Sequence, residues 1–173
     1  MELSIVRVPN KVTVEVDSRE HYPLLFPANI RYFYEDGRAK LIKIVTVRKQ
    51  LKIGDYRMKE FPEGCLVERK GAARELGTNL FSRDKRRCIS AIRRLAGACR
   101  RPVLLCDFSM SDLYRDDKGL LAGMVVSGLT RLVAEYRLTL LMLGRCKRST
   151  ARTNLGATVV HLMLAEGLRH ETS

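Results

Sequence analysis

The chemically suggestive residues of this chain are acids that close apolar, β-patterned segments: Asp17 in Val-Asp-Ser-Arg-Glu, Asp55 in Gly-Asp-Tyr, and Glu68 in Val-Glu-Arg-Lys. Strand ends are where an α/β sheet gathers a site. Two carboxylates such as Asp55 and Glu68 can hold a hard divalent cation through oxygen and leave positions open for water and a phosphate oxygen, as phosphodiester hydrolysis requires. Lys70 follows Glu68 by two residues, so on a strand it emerges on the same face and can orient the attacking water or neutralise developing charge. Arg69 points to the opposite face, where it either reaches a phosphate or fixes a neighbouring carboxylate; spacing does not choose between these. Each fragment also has a plain reading, because Asp after Gly is a common turn residue and Glu-Arg-Lys a common solvated cluster. Their succession in order, each ending a β pattern, favours a site.

The elements that must position these residues follow from hydrophobic periodicity. Residues 11–17 place Val12, Val14 and Val16 at alternate positions, the period of a half-buried strand. Residues 35–38, with Asp36-Gly37, read as the turn of a hairpin between 29–34 and 39–47. Two further short strands are expected over 52–58 and 64–70, separated by a turn at 61–64. With Ser82 as N-cap, the spacing of Cys88, Ile89, Ile92, Leu95, Ala96 and Cys99 predicts an amphipathic helix, stopped at Arg101-Pro102. A continuous apolar run at 103–108 reads as a strand covered on both faces. Helix over 121–136, a second buried strand over 138–143 and a closing helix over 153–168 complete the pattern, and 110–119, with Asp112, Asp116, Asp117 and Lys118, reads as a solvated loop. The expected class is α/β: one domain over 11–168, a mixed central sheet flanked by helices, with a lead at 1–10 and a tail at 169–173.

With 173 residues, 46% of them hydrophobic, the chain can bury one core and has no room for two domains. Thirty-two Lys and Arg against nineteen Asp and Glu give a net charge of +13, which points to a polyanionic partner, nucleic acid first. The longest uncharged apolar stretch, 138–144, is far short of the ~20 residues a membrane helix needs. Residues 1–9 lack the features of a secretory leader, so the expected location is cytoplasmic in a prokaryote or virus and nuclear in a eukaryote. Cys65, Cys88, Cys99, Cys106 and Cys146 form no Cys-x-x-Cys pair and read as reduced, buried core thiols. His21, His161 and His170 read as incidental.

Arg83, Lys85, Arg86, Arg87, Arg93 and Arg94 surround the apolar stripe of the helix after Ser82, with Arg86/Arg93 and Arg87/Arg94 aligned on its two flanks. Such a run is either a solvated face or a phosphate contact; the scarcity of nearby acids, Asp84 apart, favours phosphate and binding that weakens steeply with salt. Tyr32, Phe33 and Tyr34 sit at strand spacing, which favours core and surface of the hairpin over stacking on an unpaired base.

At this point the chain resembles the nuclease domain of the XPF-type structure-specific endonucleases, a branch of the restriction-endonuclease-like PD-(D/E)XK superfamily. The signature is GD, a variable gap, then ERK-x-x-x-D; Gly54-Asp55 and Glu68-Arg69-Lys70 match it with twelve residues between the acids, preceded by Val16-Asp17-Ser18-Arg19-Glu20. The similarity extends through Cys88-Ile89-Ser90 and 101–105, over roughly 11–145. It implies a restriction-endonuclease-like fold and a DNA endonuclease of repair or recombination, with Mg2+ or Mn2+ held by Asp17, Asp55 and Glu68 and with Lys70 beside the attacking water. Arg19, Glu20 and Arg69 become supporting catalytic-site residues by the same resemblance. The implied substrate is branched DNA (a flap, fork or junction) cut to a 5′-phosphate and a 3′-hydroxyl. The implied assembly is a homodimer or a pair with a related chain, for which the apolar face Leu155, Val159, Leu162 and Met163 offers a place. The signature's last acid is replaced by Arg74, with Glu75 next to it as a substitute acid. No tandem helix-hairpin-helix follows, so duplex grip is expected from the arginine-rich helix. The rival readings are a catalytically degenerate DNA-binding partner of the same fold, and a basic RNA-binding or assembly protein whose acids only form ion pairs.

Overall fold

The computed structural model describes residues 7–115, 120–144 and 148–169, so Cys146, His170, Asp116, Asp117 and Lys118 lie outside the described residues. The valine alternation becomes β1 (Lys11–Asp17), with Val12, Val14 and Val16 essentially inaccessible. β2 (Asn29–Phe33) and β3 (Ala39–Lys49) form the hairpin, closed where Gly37 N–H donates to the Tyr34 carbonyl and Gly37 takes a φ of 83°. That left-handed value suits glycine, as in the three-residue hairpin loop that ends in a bulge.

β4 (Tyr56–Met58) and β5 (Cys65–Lys70) follow, then α1 (Ala73–Phe81), α2 (Lys85–Ala98), β6 (Arg101–Cys106), α3 (Met110–Arg115), α4 (Leu120–Tyr136), β7 (Thr139–Met142) and α5 (Ser149–Arg169). The strands form one mixed sheet in the order β2-β3-β1-β4-β5-β6-β7. β1 runs parallel to β3, β5 to β6 and β6 to β7, while β4 is antiparallel to both β1 and β5. This is the α/β architecture that the sequence predicts.

Two cores lie on opposite sides of the sheet. On one side α5 brings Val159, Val160, Met163 and Leu164 against Val14, Ile42, Tyr56, Val67 and Leu105. On the other, Leu76 and Leu80 of α1, Ile92 of α2 and Leu129 and Leu132 of α4 pack with Leu104 and Cys106. Because side chains alternate along a strand, Asp17, Glu68 and Lys70 face the α1/α2 side, and Val16, Val67 and Arg69 the α5 side.

Several boundaries differ from expectation. Ser82 does not cap the arginine-rich helix. It ends α1, a helix that the sequence reading leaves out, and its Oγ accepts from Asp84 N–H at 3.1 Å, so α2 begins only at Lys85. Gly77, Thr78 and Asn79 are weak helix formers; α1 persists because Ala73, Leu76 and Leu80 bury one face. The expected strand at 52–58 shrinks to Tyr56–Met58, since Gly54 at φ 71° turns the chain before it. Met110–Arg115 is helical rather than a loop: the Asp112 carboxylate accepts from Ser109 N–H and Oγ, both at 2.8 Å, and Leu113 is buried. Cys65 and Cys106 are buried free thiols, but Cys88 and Cys99 are only half-buried. Leu155, Val159, Leu162 and Met163 are no free face for a dimer, because they pack into the α5-side core.

Gly54 is also fixed by crowding: a Cβ there would stand 3.1 Å from the Val67 carbonyl oxygen and 3.3 Å from Leu95 Cδ1. Gly54→Ala is therefore expected to cost roughly 1–3 kcal/mol through the positive φ and this contact. A urea melt showing under half a kcal/mol lost would contradict that reading.

Candidate active site

Gly54 delivers Asp55 into the join between β1 and β5. Asp55 N–H donates to the Val67 carbonyl at 2.7 Å, and the Asp55 carbonyl accepts from Asp17 N–H at 2.8 Å. The Asp55 carboxylate accepts Arg69 N–H through Oδ2 at 2.7 Å, and Oδ1 accepts nothing among the described residues. Glu68 lies close enough to repel it. Burial first, and the Glu68 charge second, push the Asp55 carboxyl up to about 7, so the pair resists carrying two negative charges.

Lys70 extends from the same face of β5 as Glu68, and its Nζ donates to Glu68 Oε1 at 3.0 Å. Burial would lower the ammonium's pKa, but Glu68 and then Glu75 outweigh it and hold the pKa above the ordinary lysine value. Lys70 is thus a cation throughout the neutral range. Glu75, in the first turn of α1, places Oε1 3.5 Å from Lys70 Nζ and accepts Gly71 N–H at 3.1 Å through Oε2. The one-residue shift from Arg74 to Glu75 therefore still brings an acid to Lys70, while Arg74 lines a second cleft with Arg69 and Asp107.

Asp17 reaches the same cleft as Asp55, Glu68 and Lys70, a space of about 490 Å³. Arg19 holds both of its oxygens, through Nε at 3.1 and 3.0 Å and Nη2 at 2.5 Å. Burial raises the Asp17 carboxyl, and the hydrogen bonds from Arg19 more than offset that, leaving it below the usual range. Arg69 settles the choice that spacing left open. Its guanidinium, 9% exposed, lies on the α5 side, bridges Asp107 and Glu20 and donates to the Tyr22 carbonyl at 2.8 Å. It fixes carboxylates with its side chain, and orients Asp55 with its backbone N–H.

Asp107 was not singled out from the sequence. It ends the run after β6 as Asp17 ends β1, so the same signal, an acid closing an apolar strand, was present there. It is buried, with Oδ1 unpartnered and Oδ2 on Arg69. Of the arginine-rich set, Arg87 and Arg94 border the carboxylate cleft; Arg83, Lys85, Arg86 and Arg93 are exposed elsewhere along α2 and before it. Not one of the six makes an ion pair among the described residues. Tyr32 and Tyr34 are half-buried and meet edge to face at 5.4 Å, while Phe33 is exposed. His21 lines the second cleft, and His161 is exposed on α5.

Residues 16–150 match the ERCC4 domain, well over half of the chain. The chain belongs to the ERCC4 domain family. Among solved structures, this ERCC4 domain is similar to XPF from Aeropyrum pernix, with a TM-score of 0.60 and 18% identity over 87% of this chain and 59% of that one. It is equally similar to XPF from Aeropyrum pernix in complex with DNA, at TM-score 0.60 and 18% identity over 88% of this chain and 63% of that one. The ERCC4 domain here thus spans about 60% of the length of those chains, and the likeness establishes the XPF nuclease fold. No curated protein matches the sequence.

Among the described residues, no helix is long and apolar enough to cross a membrane, and no three or more His, Cys, Asp and Glu side chains converge as a metal cage. The donor chemistry of the Asp55–Glu68 pair nevertheless fits a hard divalent cation. Both are oxygen ligands, each has an oxygen free of hydrogen bonds among the described residues, and the repulsion that raises Asp55 is what a cation offsets.

Proposed function

We propose that this ERCC4 domain is a divalent-metal-dependent DNA endonuclease acting on branched DNA. The observation that carries the reading is the cleft in which Asp55, Glu68 and the half-buried ammonium of Lys70 meet beside Arg87 and Arg94, which make no ion pair among the described residues. Family membership and a fold shared with a protein solved on DNA support it. Asp55 and Glu68 would hold Mg2+ or Mn2+, which when bound supplies an activated water and neutralises charge on the scissile phosphate. Lys70, fixed by Glu68 and Glu75, presents a permanent positive charge toward the phosphate. Arg69 locks Asp55 from behind through its backbone N–H. Arg19 has a largely exposed guanidinium and can exchange Asp17 for a substrate phosphate, which would leave Asp17 free as a third oxygen ligand.

The test is cleavage of end-labelled forked, flapped and linear DNA in Mg2+, in Mn2+ and in EDTA. Cutting near the branch that disappears in EDTA is the expected result. A second reading, a DNA-binding partner without catalysis, is favoured by Arg74 at the signature's last acid and by the hold of Arg19 on Asp17. Tight binding with no cutting in either metal would establish it.

Arg87 and Arg94 are the cleft's phosphate contacts on this reading. Replacing both with Ala is expected to flatten the slope of log affinity against log salt for duplex DNA by about 1.8, near 0.9 per phosphate. An unchanged slope would remove α2 from the binding surface.

A further inference from the structure

The sheet is covered unevenly. On the α1/α2 side the helices pack on β5 and β6, while on the same side of β2 and β3 the residues Arg31, Phe33, Leu41 and Lys43 are exposed among the described residues. Phe33 of β2 is 63% exposed and Leu41 of β3 64%, opposite in the strand alternation to the buried Ile30, Ile42 and Ile44. Exposed cations surround this apolar pair. Lys11 and Lys43 are Cα partners across β1 and β3, and Arg31 pairs with Leu41 across β2 and β3. None of Lys11, Arg31 and Lys43 makes an ion pair among the described residues, whereas the neighbouring Lys49 and Arg57 are both engaged by Glu15. Like charges in register on adjacent strands repel, and an anion laid between them removes that cost.

The exposed face leads to the carboxylate cleft. Lys49, at the end of β3, is the Cα partner of Asp17, and from there back to Leu41 is eight residues, roughly 26 Å at the rise of a parallel strand. A basic track carrying an exposed aromatic ring matches single-stranded nucleic acid, whose phosphates need cations and whose unpaired bases stack on any π face. A docked protein would cover Phe33 and Leu41 equally well, but it would not require three cations without an ion pair among the described residues on adjacent strands beside them.

We propose that this face of β2, β3 and β1 is a second nucleic-acid contact, on which a single-stranded DNA arm crosses from β1 over β3 to β2, with phosphates on Lys11, Lys43 and Arg31 and a base on Phe33. The inference rests on the DNA reading above and adds the position of the unpaired arm.

The experiment measures the affinity of labelled oligothymidylate and of blunt duplex DNA across a salt series, for wild type, Phe33→Ala, Phe33→Leu, the double variant Lys11→Ala/Lys43→Ala, and Arg87→Ala/Arg94→Ala. All the sites are exposed, and a thermal melt verifies folding. Both Phe33 variants should weaken oligothymidylate by about fivefold or more, the loss expected for one stacked base. The lysine pair should flatten the single-strand salt slope by about 1.4. Neither change should move duplex affinity. Single-strand binding that survives these variants and is lost in Arg87→Ala/Arg94→Ala would overturn the track while leaving the DNA reading intact. Full affinity in Phe33→Leu with loss in Phe33→Ala would make Phe33 an apolar docking residue and also overturn it. A wild-type protein that binds neither DNA would end both readings.

Discussion

Glu68→Gln is expected to lower metal-dependent cleavage of forked DNA by about 10²–10³-fold, the range for loss of one preorganised charge-stabilising group. DNA affinity should stay within about twofold of wild type. The substitution keeps the shape of the side chain, and its amide oxygen still accepts a hydrogen bond from Lys70, but it removes one of the two charges that would hold the cation. Glu68 sits on β5 and its hydrogen-bond partner is Lys70, not an arginine of α2, so binding and cutting should separate. Single-turnover cleavage measured beside fluorescence anisotropy checks this. Equal rates for variant and wild type would mean that any cutting is done elsewhere, and parallel loss of affinity would make Glu68 a structural residue.

The metal-free protein should respond to Asp55→Asn by gaining stability and losing cleavage. Burial and the neighbouring Glu68 raise the folded carboxyl to about 7, against about 3.9 in an unfolded chain. The folded state therefore binds the proton more tightly. The stabilising contribution of protonated Asp55 is complete below about pH 4 and is lost as pH rises to about 7, where the ionised carboxylate is left beside Glu68. Asparagine carries no such penalty, so its advantage should grow from about pH 4 to 7, reach on the order of 4 kcal/mol and then level off. Urea melts in EDTA at pH 5 and pH 8 give the comparison. A gain that is equal at both pH values, or a destabilisation at pH 8, would mean that Asp55 is not held against its charge. Added Mg2+ should narrow the gap by stabilising the wild type only, since a ligand that binds the native state raises its stability.

Much of this protein was legible in its sequence because local chemistry was unambiguous. The alternation of Val12, Val14 and Val16 specifies β1 to the residue, since a half-buried strand must keep period two. Asp36-Gly37 marks the hairpin because a positive φ suits glycine. The order Asp17, Asp55, Glu68, Lys70 carries the family signature, and alternation alone places Glu68 and Lys70 on one face with Arg69 on the other.

Tertiary structure decided what depends on residues distant in sequence. α1 exists because Leu76 and Leu80 find α4 to pack on, a partner invisible to local propensity. The apolar face of α5 was a candidate dimer surface until the sheet covered it. Arg69 acquires its role from Glu20 and Asp107, 49 and 38 residues away, and Glu75 reaches Lys70 only because α1 starts where it does. Sequence determines which side a strand residue faces and which acids are available, because covalent geometry is local. Which charges meet is decided by the fold, because coulombic and desolvation energies depend on distance in space and not along the chain.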